Sequence, residues 1–457
     1  MAEIVEWEGG VLLRDGKDVA CFIPAEMRLF NVEAKSGLSL SEIAAKLTAR
    51  YPGGRIQSSH QMERREAMFP ILRDELAALS DQTRPRLGRL TLNVSNVCNM
   101  ACGYCYASKG NYNQPEGLMS PETARDLLRR VMQHYGQIDV LHFFGGEPLL
   151  NLRTIEAVAA FLTEAAGEGA LEKLPRFALT TNGTLASQEA IEALLHWKIG
   201  VTVSWDGTRE VQDQCRPMRS GLSSYEVLAD SLSRLRYSEV PFDIECTFNG
   251  YHQQRGIHIR DLMEFFYNET GQRYLHITPA FLPAEGAGAE GLSYAALVED
   301  YRDAARFSVE NLIQGEGPVL RFVQRVAEHL ASRRPAEAYC PAFFTQLNVT
   351  MDGSVYPCFM LAGKPEFQMG NLLLDTYPGE ASLRVLRRYF DEFYEREIRW
   401  YSSLTEGCVA GEMLVSGSMR EPVMAPVQQA IAEECLIGIS RHLSEKMLLR
   451  SSVATGV

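Results

Sequence analysis

Three cysteines fall close together in this chain: Cys98, Cys102 and Cys105, spaced C-x3-C-x2-C within Asn93 to Tyr106. Thiolates this near one another can bind a single metal centre. A four-iron cluster normally takes four cysteines, so a set of three leaves one iron open to a ligand that is not protein. A zinc knuckle and three unrelated buried cysteines are the other readings. Zinc sites pair C-x2-C with a second such pair or with histidines, and no close partner pair follows here.

Further along, Gly145-Gly146-Glu147-Pro148 offers two glycines that allow close backbone approach to a ligand. It also offers a carboxylate able to accept from an ammonium group. Thr180-Thr181-Asn182-Gly183 has the composition of a turn. Ser204-Trp205-Asp206-Gly207 is followed by Val211 to Pro217, which carries Arg216. A guanidinium matches the two oxygens of a carboxylate, and a surface ion pair is the plainer role for it. Asp206 and Asp213 are read as ordering this loop, and no thiol chemistry is assigned to Cys215.

These residues need elements to position them. The chain has 457 residues, enough for two or three domains. With 46% hydrophobic and 23% charged residues it has the composition of a soluble globular protein. A net charge of −13 argues against a nucleic-acid partner. The acidic start, Met1 to Glu8, lacks the apolar core of an export signal. No apolar run approaches the ~20 residues that span a bilayer, so no membrane association is expected. Ten cysteines without an export signal favour metal ligation over disulfides and a cytoplasmic location.

Residues 1–86 read as a small domain of their own. Strands are expected over Val5–Leu13, Val19–Ile23 and Arg28–Val32, then a helix capped by Ser39 or Ser41 and another over Met62–Ala78. Residues 87–292 alternate strand and helix. Strands are expected at 90–94, 140–144, 177–180, 201–204, 242–248 and 275–278, which describes a parallel sheet and a partial (β/α)6 barrel. In such folds active residues sit at the C-terminal ends of strands, and each motif above falls there. The Gly- and Ala-rich stretch from Phe281 to Leu292, with Glu285 and Glu290, is a substrate-covering loop or a linker. Residues 293–457 form a third region, in which Asp352-Gly353 marks a hairpin between Cys340 and Cys358.

The cysteine loop, the G-G-E-P segment and the S-x-D-G segment with its downstream arginine together resemble the radical S-adenosylmethionine (SAM) enzymes that modify peptides and proteins. The resemblance covers about residues 88–410. It implies that Cys98, Cys102 and Cys105 hold a [4Fe-4S] cluster whose open iron is chelated by SAM, and that SAM is cleaved to a 5'-deoxyadenosyl radical. It assigns Tyr104 to a position near the adenine, Gly145, Gly146 and Glu147 to the SAM amino group, Asn182 to the SAM pocket, and Ser204 and Arg216 to the SAM carboxylate.

The run from Cys340 to Tyr356-Pro357-Cys358, with Gly370-Asn371-Leu372 after it, resembles the auxiliary-cluster extensions called SPASM or twitch domains. The full seven-cysteine pattern is lacking. One auxiliary [4Fe-4S] cluster, held by Cys340, Cys358, Cys408 and Cys435, is what the remaining cysteines allow. Cys435 lies on a helical stretch and is alternatively a core residue. Residues 1–86 resemble the winged-helix-like domains that bind a leader peptide as an added strand; a structural cap is the other reading.

Asn111–Ser120 and Phe143–Asn151 look like segments of the ranthipeptide maturases and of those that mature the small subunit of quinohemoprotein amine dehydrogenase. The implied activity is an intrapeptide thioether cross-link on a ribosomally made peptide or small protein, with a reductase or flavodoxin-type electron donor. A sulfatase-type formylglycine maturase and a non-catalytic, cluster-containing peptide-binding protein are the alternatives.

Overall fold

The structure is a computed structural model. It describes residues 2–7, 10–16, 18–32, 39–50, 85–282, 291–336, 342–343, 345–394, 399–405, 407–418, 420 and 422–454. The expected helix over 62–78, the linker at 81–85 except Pro85, most of the 281–292 loop including Glu285 and Glu290, and Cys340 lie outside these residues.

The first element is a four-stranded antiparallel sheet: β1 (Glu3–Trp7), β2 (Gly10–Asp15), β3 (Asp18–Ile23) and β4 (Arg28–Asn31), in sequence order. The single strand expected over 5–13 is therefore two, paired Trp7 to Gly10. Gly10 fits there because a Cβ would lie 2.2 Å from the Phe22 carbonyl oxygen. Both faces of its two central strands, β2 and β3, are buried. Leu12, Cys21 and Ile23 pack with Leu40, Ile43 and Ala44 of α1 (Leu40–Arg50), while Val11, Leu13, Ala20 and Phe22 join the main core. This two-sided burial explains the uninterrupted apolar runs, because strand side chains alternate between faces. A capping box starts α1: the Glu42 amide donates to the Ser39 hydroxyl at 3.3 Å, and the Ser39 amide donates to Glu42 at 2.8 Å.

Six parallel strands follow in sequential spatial order: β5 (Arg86–Ser95), β6 (Gln137–Gly145), β7 (Arg176–Thr181), β8 (Gly200–Ser204), β9 (Phe242–Phe248) and β10 (Tyr274–Pro279). The helices between them are α2 (Pro121–His134), α3 (Leu152–Gly167), α4 (Gln188–His196), α5 (Arg209–Cys215), α6 (Ser224–Tyr237), α7 (Gly250–Gln254) and α8 (Ile259–Thr270). Ser120 caps α2 through the Thr123 amide, with Pro121 in the first turn, as the sequence predicts.

The burial pattern shows two faces. In β7 to β10, residues such as Leu179, Val203, Cys246 and Ile277 are buried on the side that the core helices cover. The alternate residues Thr180, Thr202, Ser204, Glu245, Thr247, His276 and Thr278 are half-buried on the inner face. This second face is therefore polar.

The sheet stays open. After α9 (Tyr294–Gln314), β11 (Val319–Leu320) extends it beyond β10, and α10 (Arg321–Ser332) follows. At the other edge β12 (Gln346–Val349) pairs parallel with β5, and β13 (Ser354–Tyr356) and β14 (Gly370–Asn371) continue antiparallel. The third region expected from residue 293 thus shares the barrel's own ten-stranded sheet. Its remaining helices are α11 (Glu380–Tyr394), α12 (Val409–Ser416) and α13 (Ala425–Ala454). Arg441 on α13 pairs with Asp15 and Asp18 of the N-terminal sheet, at 2.5 and 2.8 Å. Among the described residues no helix is long and apolar enough to cross a membrane.

Candidate functional site

The cysteine loop leaves the end of β5 and is held by two neighbouring segments. Residues 215–219 run beside it: Ala101 donates to the Pro217 carbonyl at 2.9 Å, Gly103 to that of Cys215 at 3.4 Å, and Arg219 to that of Asn99 at 2.9 Å. On its other side lie the glycines that end β6. Gly146 donates to the Ser95 carbonyl at 2.7 Å and Glu147 to that of Val97 at 2.8 Å. A Cβ on Gly145 would lie 2.2 Å from the Ser95 oxygen, and one on Gly146 would lie 2.4 Å from the Val97 oxygen. The close approach that requires these glycines is therefore to the cysteine loop itself.

Cys98, Cys102 and Cys105 are partly exposed and form no disulfide. Burial, reinforced by the Glu147 charge, pushes the Cys98 thiol up to about 11, and burial pushes Cys102 to about 12. Without a cation the Cys98 and Cys102 thiols stay protonated, and a bound iron would displace those protons.

Glu147 ties the strand ends together. Its carboxylate is fully buried and accepts from the Leu149 amide at 3.0 Å, the Thr181 hydroxyl at 2.7 Å and the Asn182 amide at 2.8 Å. These three internal donors join the ends of β6 and β7 through it. Asn182 is thereby set beside the cysteines. Its side-chain amide donates to Asn99 at 2.8 Å and lies 3.9 Å from the Cys98 sulfur, and its oxygen accepts from Thr184.

Arg216 caps the C-terminus of α5 and turns under the cysteine loop. Its guanidinium donates to the Tyr104 hydroxyl at 2.6 Å and lies 3.7 Å from the Asp206 carboxylate. The Tyr104 hydroxyl in turn donates to Asp206. Asp206 is completely buried and rigidly held: its amide donates to Gln212 at 2.9 Å, and its carboxylate accepts from the Thr247 amide at 3.1 Å. The buried Arg216 Nε has no hydrogen-bond partner. Ser204 ends β8, in register with Glu245. Sequence reasoning gave Asp206 no more than loop ordering; its place between two strand ends is visible only once the fold brings Tyr104 to it.

The C-terminal cysteines are less complete. Cys358 follows β13 and is buried, while Cys408 starts α12, where the Gly411 amide donates to its sulfur at 3.3 Å. Met360 brings its sulfur to 4.0 Å from Cys408, so the hairpin end and the start of α12 meet. Phe359 reaches back over the barrel, 4.5 Å from the Phe144 ring and 6.1 Å from the Tyr106 ring. Cys435 lies on α13, fully buried in the apolar core, and Cys340 is outside the described residues.

Among the described residues no three His, Cys, Asp or Glu side chains converge on a single metal ion. A four-iron cluster makes no such demand, because each cysteine ligates a different iron. Three free thiols on one loop, beside an arginine with an unpartnered buried N–H, fit a cluster that carries a carboxylate-bearing ligand.

Residues 92–264 match the radical SAM superfamily, whose members use a [4Fe-4S] cluster and SAM. A 155-residue stretch is 31% identical to an uncharacterized protein of Methanocaldococcus jannaschii, covering 34% of this chain and 51% of that protein, about half its length. Over 342 residues the chain is 23% identical to the cysteine-type anaerobic sulfatase-maturating enzyme of Clostridium perfringens, covering 71% of this chain and 89% of the relative. The solved structure of native anSMEcpe with bound AdoMet and Cp18Cys peptide shares the fold, with a TM-score of 0.65 and 20% identity, covering 80% of this chain and 100% of that one.

Proposed function

Because the chain carries a radical SAM domain, we propose that it is a radical SAM enzyme that modifies a ribosomally made peptide or small protein. The observation that carries this reading is the convergence of the Cys98–Cys105 loop, Asn182 and Arg216 at the C-terminal ends of the parallel strands. When bound, the cluster and SAM supply a 5'-deoxyadenosyl radical that takes a hydrogen atom from the substrate.

In this reading Cys98, Cys102 and Cys105 hold three irons. Arg216 and Ser204 orient the SAM carboxylate. The Gly145-Gly146 backbone receives the amino group, while Glu147 and Asn182 fix that backbone against the loop. The relative that matures sulfatases and the similar fold that holds a peptide support a polypeptide substrate. The polar inner face of β7 to β10 is the place for it, and the 1–86 region the place for a leader segment.

Within that class the product is a thioether. A substrate C–H and a cysteine S–H are replaced by a C–S bond. The hydrogen atom would leave with 5'-deoxyadenosine and the thiol proton would go to solvent or a base; Cys340, Cys358 and Cys408 with a fourth ligand would hold the auxiliary four-iron cluster that would supply the one-electron acceptor. A reductase or flavodoxin-type protein would be the enzyme's electron donor. The formylglycine reading is favoured by one observation, the sulfatase-maturating relative.

Co-expression with cysteine-containing peptides encoded beside the gene, followed by mass spectrometry, separates the two. A thioether removes two hydrogens, keeps the sulfur, blocks alkylation of the cysteine and joins two residues. Formylglycine formed from cysteine loses the sulfur and leaves the peptide linear, and that result would sink the thioether assignment.

A further inference from the structure

Tyr104 sits where its ring is expected to face the adenine, yet its hydroxyl is committed elsewhere. It accepts from Arg216 at 2.6 Å and donates to Asp206, and all three side chains are buried. The Arg216 guanidinium also stands 5.9 Å from the Tyr104 ring centroid, so it packs over the ring edge as well as bonding to the hydroxyl. Asp206 is itself immobilised from three elements. The Gln212 side chain on α5 accepts its amide proton, the Thr247 amide on β9 donates to its carboxylate, and His252 on α7 lies 2.9 Å from its carbonyl oxygen.

An arginine side chain has several rotatable bonds, and holding it in one pose costs conformational entropy. Here a fixed carboxylate holds a phenol, the phenol holds one arm of the guanidinium, and the Nε edge is left without a partner.

We propose that Tyr104 and Asp206 are positioning residues that act through Arg216, presenting its Nε edge to the SAM carboxylate. This rests on the SAM reading above. It gives Tyr104 a role carried by its hydroxyl, distinct from an aromatic shelf for adenine, and it turns Asp206 from a loop residue into the fixed end of the chain. Cys102 is tied to the same arrangement, because the Gly103 amide is bonded to the Cys215 carbonyl immediately before Arg216. Cluster binding and carboxylate binding thus share one frame.

The test uses anaerobically reconstituted holoenzyme and two probes, SAM and 5'-methylthioadenosine, which keeps the adenosine but has no carboxylate. Tyr104→Phe retains the ring and removes only the hydroxyl. The expected result is a dissociation constant for SAM raised about tenfold, with that for 5'-methylthioadenosine unchanged within about twofold. Asp206→Asn, at matched iron and sulfide content, is expected to show the same split, and it carries the test if Tyr104→Phe loads its cluster poorly. Unchanged SAM affinity in both variants would overturn the proposal and leave Tyr104 as a shelf. Equal weakening of both probes would overturn it too, by marking the pair as general support. Wild-type protein that cleaves no SAM and binds neither probe would instead sink the radical SAM reading beneath it.

Discussion

The guanidinium of Arg216 donates to the hydroxyl of Tyr104 at 2.6 Å across 112 residues of sequence, immediately beside the third cysteine of the loop. One end of this contact belongs to the cluster loop and the other to the segment after β8. Removing the arginine should separate two functions that the contact joins. Arg216→Ala is expected to weaken SAM binding ten- to hundredfold, about 1.5–3 kcal/mol for a charge-assisted contact, while iron content stays near that of wild type. Equilibrium dialysis with labelled SAM, run beside an iron assay, checks both. Loss of the cluster with the arginine would make Arg216 structural.

The two glycines of G-G-E-P make a prediction about metal loading. A methyl group on Gly145 would enter the Ser95 carbonyl at 2.2 Å, at a φ of +137° that suits glycine alone. Gly145→Ala should therefore displace the start of the cysteine loop and lower reconstituted iron, with the rest of the fold retained by circular dichroism. Full iron loading would show that the loop tolerates the shift.

Glu147 is predicted to matter for stability more than for ligand affinity. Glu147→Ala leaves the donors of Leu149, Thr181 and Asn182 without a buried acceptor, a cost of about 2–4 kcal/mol. A lowered chemical-denaturation midpoint measures it. If stability is retained and SAM affinity alone collapses, the carboxylate reaches the ligand after all.

His142 gives a pH dependence. Burial holds its imidazole down to about 3, with Nε2 2.9 Å from the Thr180 hydroxyl. The folded pKa lies below the unfolded value of about 6.5. The unfolded chain therefore takes up the proton first as pH falls. The stability contributed by the neutral form is complete above about pH 6.5 and declines below it, by at most about 1.4 kcal/mol per pH unit. Urea midpoints between pH 6.5 and 4.5 should fall less steeply in His142→Gln than in wild type. Equal slopes would assign the acid sensitivity elsewhere.

The auxiliary cysteines are expected to divide. Cys408 starts a helix, where a thiolate is favoured, and meets the hairpin end through Met360. Cys435 is fully buried among apolar residues, and burial drives its thiol far up. Cys408→Ala should cost about four irons per chain and Cys435→Ala none. Iron and sulfide counts on reconstituted variants decide it, and a loss of iron in Cys435→Ala would restore that residue as a ligand.

Much of the barrel was legible because its strands are bounded by turn residues and its helices carry clear caps. Phe242–Phe248 coincides with the expected strand, and Ser120-Pro121 opens the expected helix. The site was legible wherever residues close in sequence do the work, as in Cys98, Cys102 and Cys105. It was opaque where distant segments meet. Nothing local marks Asp206 as the partner of Tyr104, because that contact depends on the order of β5 and β8 in the sheet. The three internal donors of Glu147 were not legible either, because burial cannot be read from a motif. The pairing of Gln346–Val349 with β5 was equally opaque, because it is a long-range event that leaves no periodic signal.

The most direct measurement is on the anaerobically reconstituted chain: count iron and sulfide, add dithionite and SAM, and assay 5'-deoxyadenosine. About eight irons per chain with SAM cleavage is the predicted result for a radical SAM enzyme with one auxiliary cluster. Loaded iron with no 5'-deoxyadenosine formed would contradict it, leaving a cluster-bearing protein that binds peptides without radical chemistry.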